Sequence, residues 1–302
     1  MTGTLAAKPA KNRTAWRRRQ RLVTPLLFIA PAALLFSLFV LYPIAASLKL
    51  SLFHWRGVGA QTWAGLGNYH ELLADPVFKT ALVNNLIWLA LVPAAPVLGL
   101  AFALLLDRKT RTMQVVRAFF FLPFVLSQAV TGMIFAWFFN ADYGLLNALL
   151  QFFQLPSVAP LENESSAIFP IIAAHLWPQT AFCMIIYLAG LAGLDPALEQ
   201  AARLDGAHGW RLLRHVILPQ LWPAHFIVAM VCIVSALRSF DLVFVMTRGG
   251  PYDSSNVLAF YMYEQAFLNL RYGYAAAIAS VLFALAAGCV SFFLWHMLRR
   301  ER

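Results

Sequence analysis

Six apolar stretches constrain this chain more than any other feature: residues 22–48, 81–106, 115–139, 168–191, 221–246 and 274–298. Each exceeds the roughly 20 residues that an α-helix needs to cross about 30 Å of hydrocarbon. Lipid offers no water to an unpaired backbone N–H or C=O, and a helix satisfies those groups within itself. The fold class that follows is an all-α membrane protein with six transmembrane helices. Composition agrees: 61% of the residues are hydrophobic and 12% are charged, against about 25% charged in soluble domains. Residues 22–302 therefore form one membrane domain, preceded by a basic tail at 1–21.

That tail holds seven Lys or Arg and no acid. The apolar run behind it is far longer than the about 7–15 residues of a signal-peptide core, so it reads as an uncleaved first span. A basic flank beside a span is expected of any membrane protein and calls for no nucleic acid as a partner. Six spans put both termini on one side. The tail, the 107–117 and 192–219 loops and the C-terminal end together hold 17 Lys and Arg, against 5 in the other three loops. The positive-inside rule then places both termini and the 192–219 loop in the cytoplasm.

The polar segment 195–219 carries its own local instructions. Asp195-Pro196 starts a helix, with an acceptor at the N-cap and proline at the first helical position. Leu198, Ala201 and Ala202 make a small apolar stripe at spacings of three and four. Asp205-Gly206 stops that helix, because glycine tolerates the left-handed conformation of a C-terminal cap. A second short helix from Gly209 carries Arg211, Arg214 and His215 and ends at Pro219.

This segment resembles the cytoplasmic loop of ABC importer permeases, whose pattern is Glu-Ala-Ala, three residues, Gly, nine residues, Ile, one residue, Leu-Pro. Here Ala201, Ala202, Gly206, Leu218 and Pro219 match, while Gln200 replaces the usual glutamate and Val216 the isoleucine. Glu199 sits next door but about 100° round the helix. The resemblance implies a type I importer permease fold in which Gln200, Ala201, Ala202, Asp205, Gly206, Leu218 and Pro219 form a coupling helix and its flank, docked on an ATPase subunit. The P-loop spacing is missing from the chain, as is a helical His-Glu-x-x-His, and Cys183, Cys232 and Cys289 are isolated in apolar runs. The chain is therefore expected to be non-catalytic and to bind no cofactor, with ATP and Mg used by the ATPase.

Two further blocks, GLGNYHELLADPVFKTALVNNL (65–86) and FDLVFVMTRGGPYDSSNVLAFYMYEQAF (240–267), resemble carbohydrate permeases of the maltose, glycerol-phosphate and lactose importer type. They imply a sugar, oligosaccharide or glycerol-phosphate-like cargo. They also imply a second, homologous permease as heterodimer partner, two ATPase subunits, an extracytoplasmic substrate-binding protein, and a bacterial or archaeal cell or inner membrane.

Polar groups inside spans are costly, and so are read as functional. Arg238 and Asp241, three apart on the fifth run, share a helix face at that spacing, can pair, and are expected to face the bundle interior. Asn84, Asn85 and Trp88 on the second run, and His175, Trp177 and Gln179 on the fourth, are further substrate-path candidates, since aromatic faces stack on sugars and amides bond their hydroxyls. Pro31, Pro93, Pro96, Pro123 and Pro178 interrupt the runs, as in transporters with broken helices. The alternative is an ion-gradient-driven secondary transporter of a small polar solute, with Asp241 as the one clear intramembrane acid.

Overall fold

The computed structural model describes residues 27–107 and 110–300. The tail at 1–21, and with it the position of the N-terminus, lies outside the described residues. The chain divides into two units, Met1–Leu50 and Ser51–Arg302. Among its described residues the first contains α1 (Leu27–Leu50), a helix long and apolar enough to cross a membrane.

In the second unit, a two-stranded hairpin, β1 (Phe53–His54) and β2 (Thr62–Trp63), leads into α2 (Gly67–Ala74). The second span follows as α3 (Pro76–Leu91) and α4 (Ala94–Leu106), together 31 residues. The fourth span is α8 (Ile168–Ala192), and the sixth is α14 (Tyr272–Arg300). Among the described residues four helices are long enough to span unbroken, and six spans result if each sharply bent helix pair is one.

The third and fifth runs depart from the continuous helices that apolarity predicts. The third run splits into α5 (Arg111–Val125) and α6 (Gln128–Phe138), bent by 95°. Ser127 is extended between them, and its Oγ accepts from the Val130 N–H at 3.3 Å, a local N-cap that starts a new helix inside an apolar run. The fifth run splits into α11 (Trp222–Leu237) and α12 (Asp241–Met246). There the buried Ser239 hydroxyl donates to the Ala236 carbonyl at 2.7 Å, taking an acceptor that a continuing helix would use. Apolarity sets where the chain meets lipid; these hydroxyls set where the helices stop.

Proline breaks the helices less than its chemistry suggests. A π turn at Ser37–Leu41 precedes Pro43, and another at Leu213–Ile217 precedes Pro219. The wider turn moves the carbonyl that the ring would strike, so the helix passes through. Pro219 consequently does not end the second helix of the 195–219 segment. That helix, α10, runs Trp210–Gln220 and bends by 72° only at Leu221.

The main core packs α3, α4, α8 and α11 around Trp88, Ile171, Met184 and Val228. Gly99 on α4 brings α4 and α8 close: a Cβ there would lie 2.5 Å from the Cys183 Cβ and 2.8 Å from the Met184 nitrogen. Small residues allow this approach where lipid supplies no hydrophobic drive between helices. A second core joins α2, α3, α14 and α13 (Leu258–Tyr263) through Leu72, Phe78, Leu258 and Ile278.

Asp75 ties this second core together. Its Oδ1 caps α3, accepting from Val77 N at 2.9 Å, and its Oδ2 accepts from the hydroxyls of Tyr261 and, at 2.5 Å, Tyr274. Nearby Arg271 donates to both oxygens of Glu71 at 2.6 Å and covers the Tyr274 ring. These contacts give the Asp-Pro turn and the block after residue 240 one shared structural role.

Candidate coupling loop and transport path

The segment between α8 and α10 folds from its own sequence. Asp195 Oδ1 accepts from Ala197 N at 2.9 Å and opens α9 (Pro196–Leu204). At the other end Gly206 N donates to Arg203 O at 3.1 Å and Ala207 N to Ala202 O at 2.9 Å. That double bond pattern is a Schellman cap, and it puts Gly206 at φ +82°. Gly209, at φ +53°, then turns the chain into α10.

Gln200, Ala201, Asp205, Gly206 and Pro219 are exposed, while Ala202 and Leu218 are half-buried. Leu204 is 89% and Trp210 66% exposed, and Leu198 is also open, so apolar side chains project from an otherwise polar loop. Exposed apolar patches rimmed by polar residues are a common feature of protein interaction sites. Glu199 is occupied within α9, its Oε1 accepting from Arg203 Nη2 at 2.8 Å. Gln200 itself brings no charge to this surface.

The breaks in the third and fifth spans meet at an open cavity of about 440 Å³ lined by Gln128, Met230, Val234, Ser235, Arg238 and Asp241. Here the sequence expectation for Arg238 and Asp241 is corrected. α11 ends at Leu237 with Arg238 as its C-cap, and α12 begins at Asp241, so the spacing that puts the two on one helical face does not apply. Both side chains are exposed rather than turned into the bundle. The ion pairs among the described residues are Arg117–Asp107, Arg203–Glu199 and Arg271–Glu71, and Arg238 and Asp241 form none with each other. The pair is held apart, with two opposite charges offered to one cavity.

The other path candidates divide. Asn84 Nδ2 donates to Ser254 O at 2.7 Å and Asn256 O at 2.8 Å, and Asn85 Oδ1 accepts from Leu258 N at 2.8 Å. Both amides are buried and hold the 254–258 backbone, and Trp88 is buried edge-on against His175. His175 reaches the cavity side through a 3.3 Å contact with the Ser235 hydroxyl, and Gln179 donates to Cys232 Sγ at 3.3 Å. Trp177 lies apart, lining a separate apolar cavity of about 490 Å³ between α4, α5 and α8. Gln128 and Ser235 are the cavity residues that sequence reasoning missed; the signal for them is an amide and a hydroxyl within apolar runs.

A multi-span helical domain with broken helices, a polar cavity at the breaks and a loop between spans that exposes apolar side chains has the layout of a membrane permease. Residues 95–301 match the family described as binding-protein-dependent transport system inner membrane component. A probable ABC transporter permease of Pyrococcus horikoshii is 35% identical over 289 residues, covering 94% of this chain and 99% of that one. The lactose transport system permease protein of Rhizobium radiobacter is 34% identical over 282 residues, covering 91% and 94%. In the crystal structure of a bacterial ABC transporter that imports the acidic polysaccharide alginate, one chain superposes with a TM-score of 0.80 at 23% identity, over 95% of this chain and 99% of that one, a likeness of fold. The chain belongs to the binding-protein-dependent ABC importer permease family, as a non-catalytic subunit with a type I permease fold. The ion-gradient-driven alternative finds no support in this family.

Proposed function

We propose that this chain is one half of the membrane channel of a sugar importer, pairing with a second, distinct permease. It receives a sugar or oligosaccharide from an extracytoplasmic binding protein, and two ATPase subunits grip its 195–219 loop. The observation that carries the reading is the Schellman cap at Gly206 with Leu204 and Trp210 exposed beside it, a rigid apolar handle on the basic side of the membrane. The lactose permease of Rhizobium radiobacter supports a sugar as cargo. The charge bias of the loops supports cytoplasmic termini.

On this reading Gln128, Ser235, Arg238 and Asp241 meet the sugar where the third and fifth spans break. Amide, hydroxyl, guanidinium and carboxylate together supply both donors and acceptors for sugar hydroxyls. Alternating access would then follow from ATP-dependent closure of the ATPases, which favours one arrangement of the two permeases over the other.

Because Arg238 and Asp241 do not pair, their substitution is expected to be independent in stability. Arg238→Ala and Asp241→Ala should each leave complex assembly intact, with a coupling in thermal unfolding below about 0.5 kcal/mol. A hydrogen bond to a charged group contributes about 1.5–3 kcal/mol, so each change should raise the KM of uptake on the order of 10-fold. Loss of assembly in either single variant, restored in the double, would instead show a compensating pair.

The orientation has its own test. In intact cells an impermeant maleimide should label Asn163→Cys and leave Asp205→Cys untouched. The reverse pattern would overturn the placement of the coupling loop.

A further inference from the structure

The 140–167 loop contains a feature that transport does not explain. Helix α7 (Leu145–Phe152) turns Leu145, Leu149 and Phe152 outward at spacings of four and three, and Phe153 and Leu155 continue the stripe. Phe152 is 80% and Phe153 67% exposed. The opposite face is fixed by one buried amide: Asn147 Nδ2 donates to Ala141 O at 2.8 Å and Val158 O at 2.7 Å, while its Oδ1 accepts from Val158 N at 2.9 Å. The outward aim of the apolar stripe is thus built into the loop.

We propose that α7 is an interfacial helix, seated by its Leu145–Leu149–Phe152 face in the lipid of the leaflet where the third and fourth spans emerge. Three observations favour lipid over a protein partner. First, α7 starts where the chain leaves hydrocarbon. Phe138 ends α6, and a tight turn follows at once, with Gly144 N on Asn140 O at 3.1 Å and Asn140 Oδ1 accepting from Asp142 N and Tyr143 N. Leu145 lies seven positions after Phe138, a reach of about 25 Å even when fully extended, and the turn shortens it. Second, residues 143–161 contain no charged side chain, whereas a docking patch for a soluble protein carries a polar rim. Third, the outward side chains are leucine and phenylalanine, the apolar residues an interfacial helix buries at the headgroup boundary. With no Lys or Arg on its polar side, α7 gains nothing from anionic headgroups, so its seating is independent of lipid charge.

The test uses the assembled transporter in nanodiscs of phosphatidylcholine, alone or mixed with phosphatidylglycerol. Cys183 and Cys232 are buried and stay in place; Cys289 is replaced by Ser. Nitroxide labels at Leu149→Cys and Phe152→Cys should collide more with oxygen than with a water-soluble nickel chelate. A label at Gln151→Cys should show the opposite, and neither result should change with phosphatidylglycerol. Equal nickel access at all three positions would overturn the proposal, as would protection of Leu149→Cys and Phe152→Cys from both reagents, which marks a protein partner. Should the labelled variants fail to assemble, a photoactivatable phosphatidylcholine on the wild-type complex decides: cross-links within 144–161 sustain the proposal, and cross-links confined to the spans overturn it.

Discussion

Gly206→Val is expected to abolish substrate-stimulated ATP hydrolysis while leaving membrane insertion and pairing with the second permease unchanged. Gly206 holds φ +82° and has nothing within 4 Å of where its Cβ would stand. The substitution therefore meets no steric neighbour, and its whole effect is conformational. A residue with a Cβ pays about 1–2 kcal/mol for the left-handed region, and β-branching raises the penalty further. The easiest relief is to give up the bonds from Gly206 N and Ala207 N that close α9. α10 would then leave α9 at a different angle, and Leu204 and Trp210 would no longer present one surface. Gly206→Asn, which tolerates this region, should retain most of the hydrolysis, and Gly206→Ala should fall between. Equal activity in all three variants would remove the cap from the mechanism.

Asp75→Ala should cause the second large loss, this time of stability. The residue caps α3 and accepts two tyrosine hydroxyls from α13 and α14. Losing an N-cap costs about 1 kcal/mol, and leaving a buried hydroxyl unpaired about 1–3 kcal/mol. Together the loss is on the order of 3 kcal/mol, read as a lower Tm of the purified complex. Asp75→Asn keeps an acceptor and should lose less. Burial pushes the Asp75 carboxyl up, but the hydrogen bonds from Tyr261, Tyr274 and the Phe78 and Val77 amides outweigh it and hold it below its ordinary value of 3.8. Its contribution is thus fully present above 3.8 and disappears as pH falls through the lower folded value. The Tm gap between wild type and Asp75→Asn should accordingly be constant near neutrality and close only in strong acid. A gap that narrows at mildly acid pH would contradict the assignment.

Much of this architecture is legible in the sequence because it rests on local chemistry. Run length gives the spans, and Asp195-Pro196 and Asp205-Gly206 give both ends of α9, since a cap uses residues within a few positions of itself. What the sequence hides depends on distance or on competition between local preferences. The 95° bend beside Ser127 is masked by the surrounding phenylalanines and valines, which dominate any average over the run. Arg238 and Asp241 have helical spacing, but the helix between them does not survive Ser239. Pro219 reads as a stop, yet a π turn upstream carries the helix through it. Asn84 and Asn85 read as sugar ligands because amides in a span need partners. Their partners lie about 170 residues along the chain, in a loop that only the fold brings near. The separation between Asp75 and its tyrosines is of the same kind.

If an ATPase grips this subunit by the 195–219 loop, that loop lies within cross-linking reach of it. Leu204→Cys, in a chain keeping the buried Cys183 and Cys232 and carrying Ser at 289, is treated with a short bifunctional maleimide in membranes holding the whole transporter. A covalent adduct is expected between this chain and the ATPase, none from Asn163→Cys, and a changed yield when ATP is added. An ATPase that co-purifies with the complex but never cross-links to Leu204→Cys, and whose hydrolysis is unaffected by labelling there, would contradict it.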